Sequence, residues 1–396
     1  MVVERPVERL GLIGWLHKNL FSTWYNILLT LLSLALIVAV VQPLLIWVLT
    51  QAEWDVVMVN LRLLLIGFFP LDQIWRVWVC LAATMALLGL SRGIWPHIVG
   101  GVAPVYGAGL LLLALLPIEL NQRLWLVLCG GLVFAGAALS RFLVQRSNQR
   151  IIGWVAMGWV LLLPLTLWLL RGFGLVLPVI ETSEWGGLLL TLVMAISGVV
   201  FAFPLGVLLA IGRRSELPAF RWFCTISIEV VRGVPLVTVL FMFLIMLPLF
   251  IPGSESTDNI ARAIIGLTIF TSAYIAENVR GGLQAIPRGQ FEAAKAIGLN
   301  PVFSMLLIIL PQALRIVIPS NVNQFISLLK DTSLVVAAGG GIRELLGMAD
   351  SLMGQAEFQG KQAEVLLFAG LIYWILAYSL TYVSKRLEQH IQRHTT

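Results

Sequence analysis

Charged and hydroxyl side chains set inside long apolar runs are the residues of this chain best placed to do chemistry. Lys330, Asp331, Thr332 and Ser333 fall within the run 316–338. An ammonium, a carboxylate and two hydroxyls there could meet the charged ends of a zwitterionic solute, or could neutralise one another or another subunit. Glu229 and Arg232 stand three residues apart, as do Glu277 and Arg280, and that spacing puts each pair on one helix face. Both pairs are expected to be structural, bracing the fold or a subunit contact. Ionisable groups at membrane depth cost on the order of 3 kcal/mol each, so they mark a pathway or a protein contact.

Other chemistries find no support. Cys80, Cys129 and Cys224 lie in or beside apolar runs without CxxC or Cys/His spacing, and are expected to act as small hydrophobes. His17, His97, His390 and His394 sit near run ends or in the tail, and no HExxH occurs, so no metal site is expected. No nucleophile is placed with a base, so no catalytic residue is expected. A phosphate-binding P-loop requires GxxxxGK[ST], whose backbone N–H groups cradle the phosphates. Of the five lysines only Lys361 follows a glycine, and Gln362 follows it.

These residues need a membrane scaffold to position them. The chain has 396 residues, of which 59% are hydrophobic and 12% charged, with a mean hydropathy of +0.94. A soluble chain of this length would carry about twice that charged fraction. Spanning helices need about 20 apolar residues each, and lipid leaves helices as the form that satisfies the backbone. The expected fold is therefore an all-α polytopic membrane protein with about ten spans: 27–49, 75–91, 98–116, 123–140, 152–170, 187–211, 228–250, 260–279, 316–338 and 364–384. The first run is longer than a signal-peptide core and lacks a small-residue cleavage site, so it is expected to be retained. Residues 9–20 have apolar positions at helical spacing with basic flanks, which fits either a surface helix or a disordered basic tail.

With the N-terminus inside, the inner segments hold 17 of the 26 lysines and arginines, and the outer segments, with the span edges that adjoin them, hold 7. That bias places both termini in the cytoplasm and accounts for the net charge of +6 without a nucleic-acid partner. Residues 1–180 carry five of the spans, with tryptophans such as Trp24, Trp75 and Trp154 at their edges, and almost no charge within them. From Trp185 onward charge, Gly and Pro enter the spans, dividing the chain into 1–180 and 181–396. No convincing internal repeat is visible.

Between 281 and 313 the chain is too polar for lipid, yet its alanines and periodic apolar residues suggest two short helices. Pro287 can start one and Gly298 can end it, giving a helix-turn-helix on the cytoplasmic side. "EAAKAIG" (292–298) followed by "ILPQA" (309–313) resembles the EAA loop of ABC importer permeases. "EVVRGVPLVTVLF" (229–241), "SAYIAENVRGGLQAIPRGQFEAAKAIGL" (272–299) and "LLKDTSL" (328–334) are together similar to permeases of the polar amino-acid uptake family. The extra N-terminal spans and "RGVPLVTVLFMFLIMLPLF" (232–250) resemble the long permease subunit of general L-amino-acid ABC transporters.

The resemblance implies an ATP-driven importer of L-amino acids in a prokaryotic inner membrane. In it Glu292, Ala293, Ala294 and Gly298 would dock on a cytoplasmic ATPase dimer, and Lys330 to Ser333 would line a pathway. It also implies a second, related permease subunit and an extracytoplasmic amino-acid-binding protein. ATP and Mg would sit on the partner ATPase, and this chain would bind no cofactor and catalyse no reaction. A secondary carrier driven by an ion gradient, with Asp331 or Glu277 as the titrating group, is the other class of answer that the residues allow.

Overall fold

The computed structural model describes residues 11–146, 148–174, 176–253 and 257–393. Among these, regular structure is helical, with isolated backbone bridges at Gly67–Trp185 and Gly187–Glu344, as an all-α membrane protein requires. The chain divides into two compact units, Met1–Val56 and Val57–Thr396. The first holds α1 (Leu12–Leu20) and α2 (Trp24–Ile46), which continues through a π-helical turn, Trp47–Gln51. α1 answers the helical spacing of 9–20, whose first two residues lie outside the described set. α2 buries none of its residues and is apolar on every face, which suits it to lipid contact all round.

The second unit contains α3 (Trp75–Ile94), α4 (Pro96–Val99), α5 (Val102–Leu113), α6 (Leu120–Arg146) and α7 (Asn148–Arg171). There follow α8 (Gly187–Gly212), α9 (Pro218–Gly233), α10 (Leu236–Phe250) and α11 (Asn259–Ala285). α12 (Arg288–Ala296), α13 (Pro301–Asp331), α14 (Leu345–Met353) and α15 (Gln362–Arg393) complete it.

Among the described residues eight helices are long and apolar enough to cross a bilayer, and α9 with α10 makes a ninth if that bent pair is one span. Each of the ten expected runs finds a helix, but three differ in form. The run 98–116 becomes α5, with only 12 residues. The run 228–250 is corrected to two helices that meet at 109°. Pro235 crowds the preceding residue out of helical geometry, and Val234 is accordingly extended at φ −109°, ψ 138°. The run 316–338 starts earlier: α13 begins at Pro301, passes through a π-helical turn at Met305–Ile309 and ends at Asp331. The second arm of the polar segment is thus the start of a long span, not a separate short helix.

α11 is the enclosed centre of this unit, packed against α8, α9, α10 and α13. Lipid tails are as apolar as leucine, so close packing of small residues holds such helices together. At Gly206 on α8 a Cβ would stand 2.7 Å from the Ile275 side chain and from the Ser272 carbonyl oxygen of α11. Polar ties secure the end where α8 begins. Arg76, fully buried at the start of α3, donates to the Pro178 carbonyl at 3.0 and 3.1 Å and to that of Leu169 at 3.3 Å. Glu344, also fully buried, accepts from the Tyr373 hydroxyl of α15 at 2.6 Å and from the Thr191 hydroxyl of α8 at 3.2 Å. It also caps α14 by accepting from the Gly347 N–H at 2.9 Å. Burial raises the Glu344 carboxyl above the usual range, while these hydrogen bonds work the other way.

Replacing Glu344 with Ala strands the donors of three elements, and the expected loss is on the order of 3 kcal/mol. Thermal unfolding of the purified chain in detergent would show it as a lowered Tm, with Glu344→Gln falling between the two. Gly206→Val should separate α8 from α11 and cost roughly 1–3 kcal/mol by the same measurement. A parental Tm for either would contradict the packing described.

Candidate coupling site

The polar segment is built by a stop signal and a start signal in immediate succession. Pro287 precedes the first turn of α12, where a missing N–H costs nothing. α12 ends when Gly298 adopts φ +83°, and the Gly298 and Leu299 N–H groups donate to the Lys295 and Ala294 carbonyls at 3.0 and 3.1 Å. This pair of bonds is a Schellman motif, which favours glycine because a Cβ crowds the left-handed conformation. Asn300 then caps α13: its side-chain oxygen accepts from the Phe303 N–H at 2.8 Å, with Pro301 in the first turn. Gln312 on α13 donates to the Gln290 side chain of α12 at 3.2 Å, tying the two arms.

Glu292, Ala293 and Gly298 are exposed on this turn, together with Ile297, Val302 and Phe303. Ala294 differs from its neighbours in being buried, 1% exposed. Its small side chain is enclosed, whereas Glu292, Ala293 and Gly298 face outward.

Directly behind this turn lies a charge network. Glu277 pairs with Arg280 of its own helix, Nε to Oε2 2.9 Å, and stands 3.5 Å from Arg213 and 3.6 Å from Arg232. Arg213 also pairs with Glu229 at 2.9 Å, and Arg232 lies over the Tyr274 ring at 5.7 Å. Glu277 and Arg280 are thus joined as neighbours, whereas Glu229 and Arg232 each turn to a residue elsewhere. Arg213 lies just past the end of α8. It supplies the link that the spacing rule could not show, because its partners lie 16 and 64 positions away. Below the network the Asn278 amide donates to Asn321 of α13 at 3.0 Å, and a Cβ at Gly282 would lie 2.5 Å from the Val317 side chain.

The residues expected along a pathway lie elsewhere. Lys330 and Asp331 end α13, and Thr332 and Ser333 form the turn that follows, not the middle of a span. The Thr332 and Ser333 hydroxyls donate to the Leu329 and Lys330 carbonyls at 2.8 and 2.7 Å, satisfying the end of their own helix. A short way on, Gly339, Gly340 and Gly341 all take positive φ, and Gly340 accepts from the Asn259 amide of α11 at 2.8 Å. With the buried Arg262, which donates to the Leu244 carbonyl at 2.9 Å, Gly340 and Gly341 border a cavity of about 350 Å³. The run of three glycines was the available signal for this feature. Glu344 and Arg262 carried none, since each reads as an ordinary loop-flanking charge. Among the described residues no group of His, Cys, Asp and Glu could hold a metal ion.

Residues 202–393 match the family described as binding-protein-dependent transport system inner membrane component. The inner membrane amino-acid ABC transporter permease protein YhdY of Escherichia coli strain K12 is 38% identical over 385 residues, spanning 96% of this chain and 94% of that one. The glutamate/glutamine/aspartate/asparagine transport system permease protein BztC of Rhodobacter capsulatus is 34% identical, over 98% of this chain and 95% of that one. A solved amino acid ABC transporter with histidines superposes on 52% of this chain and 92% of its own, at 28% identity and a TM-score of 0.46. The near-complete overlap with two permeases of full length settles the family: the chain belongs to the binding-protein-dependent transport system inner membrane components, as an amino-acid ABC transporter permease.

Proposed function

We propose that this permease couples to a cytoplasmic ATPase dimer through α12 and the turn after it. The observation that carries the reading is the turn itself. A helix capped by Gly298 presents Glu292, Ala293 and exposed apolar side chains, Ile297, Val302 and Phe303, to the outside. Apolar side chains ringed by polar ones on a membrane protein's water-facing turn mark a protein contact. The turn is mechanically connected, since α12 is tied to α13, and α13 to α11 through Asn321 and Gly282. A push on α12 therefore moves two central spans. The Glu277 network holds α8, α9 and α11 together at the same end, so the push reaches the bundle as a body and not one helix alone.

The substrates in this reading are L-amino acids of polar or broad class, delivered outside by a binding protein and carried inward. That class is supported by the names of the two permeases spanned nearly end to end. The second permease subunit would be a related chain. ATP and Mg would act on the ATPase, and this chain contributes no P-loop lysine to them. Residues 181–396 would form the permease core and 1–180 the extension. The excess of basic residues in the inner segments supports cytoplasmic termini. Lys330, Asp331, Thr332 and Ser333 would act by shaping the end of α13 beside the pathway. Family membership sets aside the carrier driven by an ion gradient.

The direct test is uptake of radiolabelled amino acids into proteoliposomes that hold this chain, a partner permease and an ATPase, with binding protein outside. Uptake should require internal ATP, and uptake driven by an ion gradient without ATP would overturn the reading. Gly298→Asp strains a left-handed position and adds charge at the docking turn, so ATP-dependent uptake should fall at least about tenfold with the chain still in the membrane. Exposed and buried alanines should separate: Ala293→Leu should leave Tm unchanged and weaken copurification of the ATPase, whereas Ala294→Leu should lower Tm. Glu277→Gln leaves three arginines facing one neutral group, and should lower Tm by an amount worth about 2 kcal/mol together with uptake.

A further inference from the structure

The end of the second unit that carries α12 holds another feature, which coupling and transport do not use. α8 begins beside Glu344 and ends beside Glu277, so these two carboxylates mark opposite ends of the bundle. α15 meets Glu344 through Tyr373, and Arg386 lies roughly 20 Å further along the same helix, towards the α12 end. There a cavity of about 560 Å³ opens where the last turns of α3, α6 and α15 meet α4. That size falls in the range of small-molecule sites.

Its wall is cationic. Arg92 of α3, Arg141 of α6 and Arg386 of α15 line it with His97 and His390, and no carboxylate is among the lining residues. The Arg386 guanidinium lies over the Tyr382 ring at 5.2 Å, and the two imidazoles stack at 6.4 Å between centroids. Among the described residues the Arg92 and Arg141 guanidiniums have no hydrogen-bond or ion-pair partner. All three arginines stand within the last two turns of spanning helices, at the depth of the polar headgroups. Three guanidiniums around one cavity repel each other unless an anion lies between them. Phosphate is the anion that the planar guanidinium fork matches with two hydrogen bonds, and basic pockets between helices at a membrane face are suited to it.

We propose that this cavity binds a phosphate group, presented by a phospholipid headgroup or by a soluble phosphate, which joins α15 to α3, α4 and α6. The test uses the full chain purified in detergent. One arm measures retention of phosphatidylglycerol against phosphatidylcholine by native mass spectrometry, and the other measures the rise of Tm with inorganic phosphate against chloride. Arg141→Gln with Arg386→Gln should abolish the response at a parental Tm, by at least about tenfold in retention. Arg150→Gln with Arg221→Gln removes the same charge outside the cavity and should change neither arm. Arg92→Gln alone, a milder change, should weaken the response in part.

Selective phosphatidylglycerol retention that depends on Arg141 and Arg386 identifies a headgroup as the source. A phosphate-dependent Tm with the same dependence and no lipid preference identifies a soluble phosphate. No response in either arm, or equal loss in both double variants, overturns the proposal.

Discussion

A carboxylate at the end of an apolar bundle must find its cations inside the protein, and Glu277 finds them on three elements. Arg280 comes from its own helix, Arg232 from α9 and Arg213 from the end of α8. Glu277 is only partly exposed, and a partly buried charge without such partners is costly, so their positions are mutually constrained. Because Arg280 lies in the last two turns of α11, the network also fixes where the polar segment leaves the bundle. The bend at Pro235 belongs to the same arrangement. It releases α9 from the direction of α10 and lets Arg232 lie beside Glu277.

The opposite end of the second unit is held in a different way. Glu344 receives hydrogen bonds from α8, α14 and α15, and Arg76 fastens α3 to the segment after α7. Between the two polar ends the contacts are close and apolar, with small residues of α8 and α11 setting the distance. The second unit is thus held by charge at one end, by small residues in the middle and by hydrogen bonds at the other end.

The cationic cavity is distinct from this machinery in its chemistry. Glu277 offers its arginines a carboxylate, whereas among the described residues Arg92 and Arg141 have no hydrogen-bond or ion-pair partner. That contrast among the described residues, within one bundle and at one end of it, is why the cavity reads as a site for an anion from outside the chain.

Much of this was legible in the residues alone. The ten apolar runs fixed where helices form, because lipid permits no other backbone arrangement. Pro287, Gly298, Asn300 and Pro301 are local signals whose partners lie within five residues, so the stop of α12 and the start of α13 follow from sequence. Other features depend on residues far apart in the chain and needed the tertiary structure. Arg213 meets Glu277 across 64 positions and Thr191 meets Glu344 across 153. Spacing of three suggested that Glu229 and Arg232 share a helix face, but not that each would turn to another helix. Ala293 and Ala294 are the same residue type, and only tertiary packing decides which of them is exposed. Local backbone chemistry determines where a helix begins and ends, and the side on which its residues act is set by whatever packs against it.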